Sequence, residues 1–179
     1  MNTWFTSDLH LHHNLLSGIR GYGYGDSEEM TNVVIDRYNS KISKNDTVYI
    51  LGDFALVNNT KLPEVVKKLN GKKHLILGNH DNVNVNHNGG YGFESIYQYR
   101  EVKIGEHRFI LFHYPILSWH WIQNPKVFHL FGHVHGNMDE SLIPYKCMDV
   151  GVDTNDLYPY HIDEVISHME TKKTFSYNN

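Results

Sequence analysis

At 179 residues the chain is long enough for one domain with a buried core, and an apolar share of 40% excludes the disordered and collagen-like classes. The 16 Lys and Arg against 20 Asp and Glu leave a formal net charge of -4, which argues against a duplex-binding basic stripe but leaves nucleotides and short single strands open. Cys147 is the only cysteine, so no intrachain disulfide can form and a reducing, cytoplasmic setting is expected.

Thr3 to Ser7 is a β-rich run that stops at Asp8-Leu9-His10, with His12, His13 and Asn14 directly behind it. Because a strand begins so early, with no charged segment leading into an apolar one, no secretory leader is expected; no run is long enough to span a bilayer. After the Gly- and Tyr-rich stretch 18–25, Asp26 or Ser27 caps a helix to about Ser43, with Met30, Val33, Val34, Tyr38 and Ile42 near helical spacing. Thr47 to Leu51 is a strand of the buried type ending at Gly52-Asp53. A second helix opens at Asn59 or Thr60, carries Pro63 in its first turn and stops at Asn70-Gly71. His74 to Leu77 is the next strand, ending at Gly78-Asn79-His80-Asp81.

The polar stretch Asn82 to Gly92 reads as a loop, either a plain surface connection or a lid. Ile96–Ile104 and His107–Phe112 form a hairpin about Gly105-Glu106, and its second arm ends at His113. Pro115 to Ile122 is a loop or short helix. Val127 to Phe131 is a strand running into Gly132-His133-Val134-His135, Tyr145 to Val150 a further strand, and Ile162 to Met169 a last helix. No repeat, low-complexity tract or linker divides the chain, so residues 1–179 read as one domain. Alternating strands and helices followed by a strand-rich half predict a layered α/β (α+β) fold with mixed sheets.

Five strands therefore stop at a group able to bind a metal: Asp8/His10, Asp53, Asn79/His80, His113 and His133/His135. In open α/β sheets the functional crevice lies beyond the carboxyl ends of the strands, so roughly parallel strands would bring all five groups to one edge. Imidazole nitrogens with carboxylate and amide oxygens, and no thiolate, suit Mn, Fe, Zn, Co or Ni better than Ca. The set is too large for one ion and sufficient for two, and a metal pair roughly 3.5–4 Å apart is the usual device for phosphate-ester hydrolysis.

In order and spacing these blocks resemble those of the calcineurin-like metallophosphoesterase superfamily, most closely its compact, cap-less bacterial and phage-type members. His13, Asn14 and the segment Asp149 to Asp153 strengthen the likeness. The resemblance implies a sandwich of two mixed β-sheets flanked by helices. It implies that Asp8, His10 and His135 hold one divalent ion, that Asn79, His113 and His133 hold another, and that Asp53 bridges them, with Mn the first expectation. It also implies in-line attack on phosphorus by a metal-bridging hydroxide, with His80 protonating the leaving oxygen or clamping the phosphate, and Asp81 orienting His80.

Further from the blocks the residues leave alternatives open. His13, Asn14 and Arg20 are either phosphate contacts or a helix start and a surface charge. Tyr22, Tyr24, Trp119, His120 and Trp121 are either an aromatic wall for a nucleobase or ordinary packing. The expected substrate is a small phosphate ester, more readily a nucleotide-type diester, with no membrane or duplex partner; oligomeric state is left open. Single-stranded nuclease, phosphomonoesterase, protein phosphatase and metal-binding scaffold are the competing readings.

Overall fold

A computed structural model describes residues 1–20, 25–139, 142–143 and 145–176. Its elements in chain order are β1 (Thr3–Thr6), α1 (Asn14–Ile19), α2 (Ser27–Lys41), β2 (Thr47–Ile50), α3 (Leu62–Lys67), β3 (Lys72–Ile76) and β4 (Ser95–Tyr97). They continue with β5 (Tyr99–Ile104), β6 (His107–Phe112), β7 (Val127–Phe131), β8 (Cys147–Asp149), β9 (Tyr160–His161) and α4 (Ile162–Thr171). Two sheets result, one ordered β4-β3-β2-β1-β9 and one ordered β5-β6-β7-β8. Both are mixed. In the first, β1 to β4 pair in parallel and β9 runs antiparallel to β1; in the second, β5–β6 is antiparallel and β6–β7–β8 parallel.

Side-chain alternation builds the layers. Along β2, Val48 and Ile50 pack with Met30, Val34, Tyr38 and Val65 of α2 and α3, while Tyr49 and Leu51 face the second sheet. Phe5 meets Phe109 across the sandwich with ring centroids 5.0 Å apart, and Val165 and Met169 of α4 close the same layer. The outer face of the second sheet is covered by Trp119, Ile122 and Ile143. All five residues of β7 are buried, as a strand covered on both faces requires.

The helix over 27–41 starts where its cap demands. The Asp26 carboxylate accepts from the Glu28 and Glu29 amides at 2.9 and 2.8 Å. The segment expected as one arm, 96–104, is instead two strands. β4 pairs with β3 and β5 with β6, so the chain changes sheets at Gln98; period-two patterning cannot register such a crossing, because both halves alternate alike. The 82–92 stretch is tied to β4 by paired Asn86–Ile96 backbone bonds of 3.0 and 2.8 Å. Among the described residues no helix is long and apolar enough to cross a membrane.

His129 on β7 is fully buried. Its Nδ1 lies 3.1 Å from the Ile110 carbonyl and its Nε2 3.3 Å from the Ile116 amide, so the neutral ring donates at one nitrogen and accepts at the other. Burial outweighs the backbone bonds and lowers its pKa from 6.5 to about 4. Between those values the unfolded chain binds a proton that the folded chain refuses. This contribution is complete above pH 6.5 and is lost as pH falls, by about 3 kcal/mol in full. In urea titrations from pH 7 to pH 4, His129→Gln is expected to lose stability less steeply than wild type; parallel slopes would remove His129 from the acid response.

Candidate metal centre

The parallel strands β1, β2, β3, β6 and β7 all end on the same side of the sandwich, and each delivers its group just past its last residue. Asp8 and His10 follow β1, Asp53 follows β2, Asn79 follows β3, His113 follows β6, and His133 and His135 follow β7. Two clusters form. Single donor atoms of Asp8, His10 and His135 lie within 4.8 Å of one another, and so do those of Asp53, His113 and His133. The Asp53 Oδ2 stands between them, 3.5 Å from His10 Nε2 and 3.6 Å from His113 Nε2. Asn79 joins the second cluster with its Oδ1 3.1 Å from His113 Nε2.

The backbone is bent to achieve this. Five of the ten non-glycine residues with positive φ among the described residues are Asp8 (57°), His10 (46°), Asp53 (51°), His133 (72°) and His135 (50°). A left-handed residue of this kind costs on the order of 1–3 kcal/mol and persists where surrounding structure enforces it. Two glycines permit the crowding: a Cβ at Gly132 would collide with Ser7 Oγ and Asp8 Oδ2, and one at Gly78 with the Asp53 amide and carboxylate.

The donor set fits cations. His10 Nε2 is buried without a hydrogen-bond partner, and burial lowers the pKa of the ring to about 3 despite Asp53, so the ring is neutral and one of its nitrogens can bind a cation. His113 Nδ1 lies 2.6 Å from the Leu51 carbonyl and donates there, which leaves Nε2, 3.1 Å from the Asn79 oxygen and 3.6 Å from Asp53 Oδ2, as the atom that takes either a proton or a cation. Burial raises Asp8 to about 6, although His135, His113, the Ser7 hydroxyl and the His133 amide favour its charge. Burial also works against Asp53, but hydrogen bonds from His113 and the His80 amide, with the charges of His113 and His10, bring it down to about 2. A divalent ion in each cluster matches this mixture of nitrogen and oxygen ligands.

The other residues singled out in the sequence fall as follows. His80 is exposed at the rim; its ring centroid lies 5.3 Å from that of His10 and 5.7 Å from that of His13, and its amide donates to Asp53 Oδ1 at 2.9 Å. His13 caps α1, its Nδ1 accepting from the Leu16 amide at 3.3 Å. Asn14 accepts from the Ser27 hydroxyl at 2.6 Å. Arg20 pairs with Asp153 at 2.9 Å, and its side chain is only 2% exposed, so its guanidinium is engaged within the protein.

Asp81 takes a different part from the one the resemblance implies. Its carboxylate accepts from the amides of Asp53 and Gly78 at 2.9 Å and of Phe54 at 3.0 Å, which locks the ends of β2 and β3 together.

Trp119 is buried against His129, while Trp121 lies exposed under the Arg108 guanidinium, 4.7 Å from its ring. Tyr22 and Tyr24 lie outside the described residues. Two neighbours escaped the sequence reading. Tyr114, directly after His113, sets its ring 4.7 Å from that of His133 and is 36% exposed. Asp153 lies 2.6 Å from His135 Nδ1. Adjacency to a ligand was the available signal for Tyr114, and the Asp149-to-Asp153 segment the signal for Asp153.

The family model for calcineurin-like phosphoesterases matches residues 1–172. The uncharacterized protein MJ1445 of Methanocaldococcus jannaschii is 27% identical over 178 residues, 95% of this chain and 92% of that one. The Gene 66 protein of Mycobacterium phage L5 is 41% identical over 83 residues, 45% of this chain and 40% of that protein, so the match spans well under half of that relative. The crystal structure of AQ665, a protein of unknown function from Aquifex aeolicus, shares the fold with a TM-score of 0.73 at 24% identity, covering 93% of this chain and 98% of that one.

Proposed function

This chain belongs to the calcineurin-like phosphoesterase family, and we propose that it is a two-metal phosphodiesterase acting on a small nucleotide-type diester. The observation that carries this reading is the Asp53 carboxylate standing between two clusters of metal-binding groups, 3.5 Å from one histidine and 3.6 Å from the other. Asp8, His10 and His135 would hold one ion, Asn79, His113 and His133 the other, and Asp53 both, with Mn the first choice ahead of Fe, Zn, Co and Ni. Such a pair, when bound, supplies Lewis acidity that offsets charge on the phosphoryl oxygens and makes water a better nucleophile.

The remaining roles belong to side chains. His80, exposed at the rim and anchored through its amide to Asp53, is placed to give a proton to the leaving oxygen. Tyr114, half open beside His133, supports a substrate with a flat aromatic portion, because a ring presented to solvent next to the site can stack a base. Committed to Asp153, Arg20 leaves the phosphate to the metals and His80.

The test is a panel on Mn-loaded protein: bis-p-nitrophenyl phosphate, p-nitrophenyl phosphate, cyclic nucleotides and single-stranded DNA, with metal content measured. The expected result is two Mn per chain and diester kcat/KM at least about tenfold above monoester, a ratio that compares the binding of the two transition states from the free reactants. Monoester preference would overturn the diester assignment, DNA degradation would move the reading to a nuclease, and two bound metals without turnover of any ester would overturn hydrolysis.

A further inference from the structure

We propose that Arg20 and Asp153 are a positioning pair that sets the metal affinity of the Asp8/His10/His135 cluster and leaves the other cluster unaffected; this rests on the two-metal reading above. Asp153 Oδ2 lies 2.6 Å from His135 Nδ1, which commits that nitrogen to the carboxylate and turns Nε2 toward Asp8, 3.8 Å from its Oδ1. A carboxylate behind a metal-binding imidazole fixes the ring and raises its basicity.

Arg20 joins this carboxylate to the rest of the cluster. Its Nε lies 2.9 Å from Asp153 Oδ1 as an ion pair without the alignment of a hydrogen bond, and one terminal nitrogen donates to Oδ2 at 3.2 Å. The same side chain donates to the backbone carbonyl of Asp8 and, at 3.1 Å, to that of Leu9. These carbonyls belong to the turn in which Asp8 and His10 hold their left-handed conformations. One buried cation thus braces all three ligands of one cluster: Asp8 and His10 through the strained turn, His135 through Asp153.

The rest of the 149–153 segment serves the same end. Asp149 accepts from the Gly136 amide at 2.9 Å, next to His135, and from the Gly151 amide at 2.8 Å. Gly151 pairs with Ser7, and a Cβ there would come within 3.1 Å of Asp8 Oδ2. Backing in the second cluster is of another kind: His113 rests on the neutral Leu51 carbonyl. Charge behind one site and a peptide dipole behind the other make the two unequal.

The experiment is a Mn titration of the metal-free full chain by equilibrium dialysis, with electron paramagnetic resonance to separate coupled pairs from isolated ions. Wild type, Asp153→Asn and Arg20→Gln are compared. Each variant is expected to keep one Mn at wild-type affinity and to bind the second about 10- to 100-fold more weakly. At one equivalent above the tight site, the pair signal should give way to that of an isolated ion, and excess Mn should restore it. A merely structural defect would lower both affinities and would not be reversed by metal. Two Mn at unchanged affinity in both variants, or weakening of both sites together, overturns the proposal. Wild type that binds no Mn overturns the two-metal reading itself, an outcome distinct from these.

Discussion

Asp53→Asn is expected to lose at least roughly 10³-fold in kcat/KM on any diester the wild type cleaves, about 4 kcal/mol of transition-state stabilisation. The substitution is nearly isosteric, and an amide oxygen can still accept the His80 amide now bound at 2.9 Å. What disappears is the charge between the clusters, where Oδ2 lies within 3.6 Å of a histidine on either side. Bound metal should fall below two per chain. Activity within tenfold of wild type, with two ions still bound, would show that Asp53 does not bridge and would dismantle the proposed centre.

His80→Ala is the second large effect, with a different signature. General acid catalysis contributes about 10² to 10⁴ in rate, and His80 lies at the rim, outside both clusters, so metal content should be unchanged. The loss should depend on the leaving group. A nitrophenolate departs without a proton, so bis-p-nitrophenyl phosphate should be cleaved with a modest decrease; an ester of an aliphatic alcohol or a ribose hydroxyl leaves as an alkoxide and should show the full loss. A uniform decrease on both kinds of ester would assign His80 to clamping the phosphate instead. His80→Asn, which can hydrogen-bond but cannot carry the proton at neutral pH, should behave as Ala in the alkoxide series.

Much of the site is legible along the chain because the first candidate group after each strand sits one to three residues beyond it. A strand buried on both faces reads as a run of apolar residues, and a polar side chain just after it marks where the run stops; Asp8, Asp53, Asn79, His113 and His133 all follow a strand in this way. What the chain does not carry locally is partnership. Arg20 and Asp153 lie 133 residues apart, and nothing near either one signals that a guanidinium will be spent on a carboxylate rather than on a phosphate. The break at Gln98 and the short β9 are likewise invisible, since a two-residue strand has no period.

The sequence by itself determined the number and order of the strands that end at the candidate groups, the nitrogen and oxygen chemistry of those groups, and the glycines at the turns, because these rest on local spacing and residue type. The tertiary structure decided which groups lie together in each cluster, and that Asp81 holds two strand ends while Arg20 pairs with Asp153 behind His135. The physical reason is one of range. Burial patterns act over a few residues, whereas hydrogen bonds and ion pairs between strand ends depend on how two sheets stack, which no local pattern encodes.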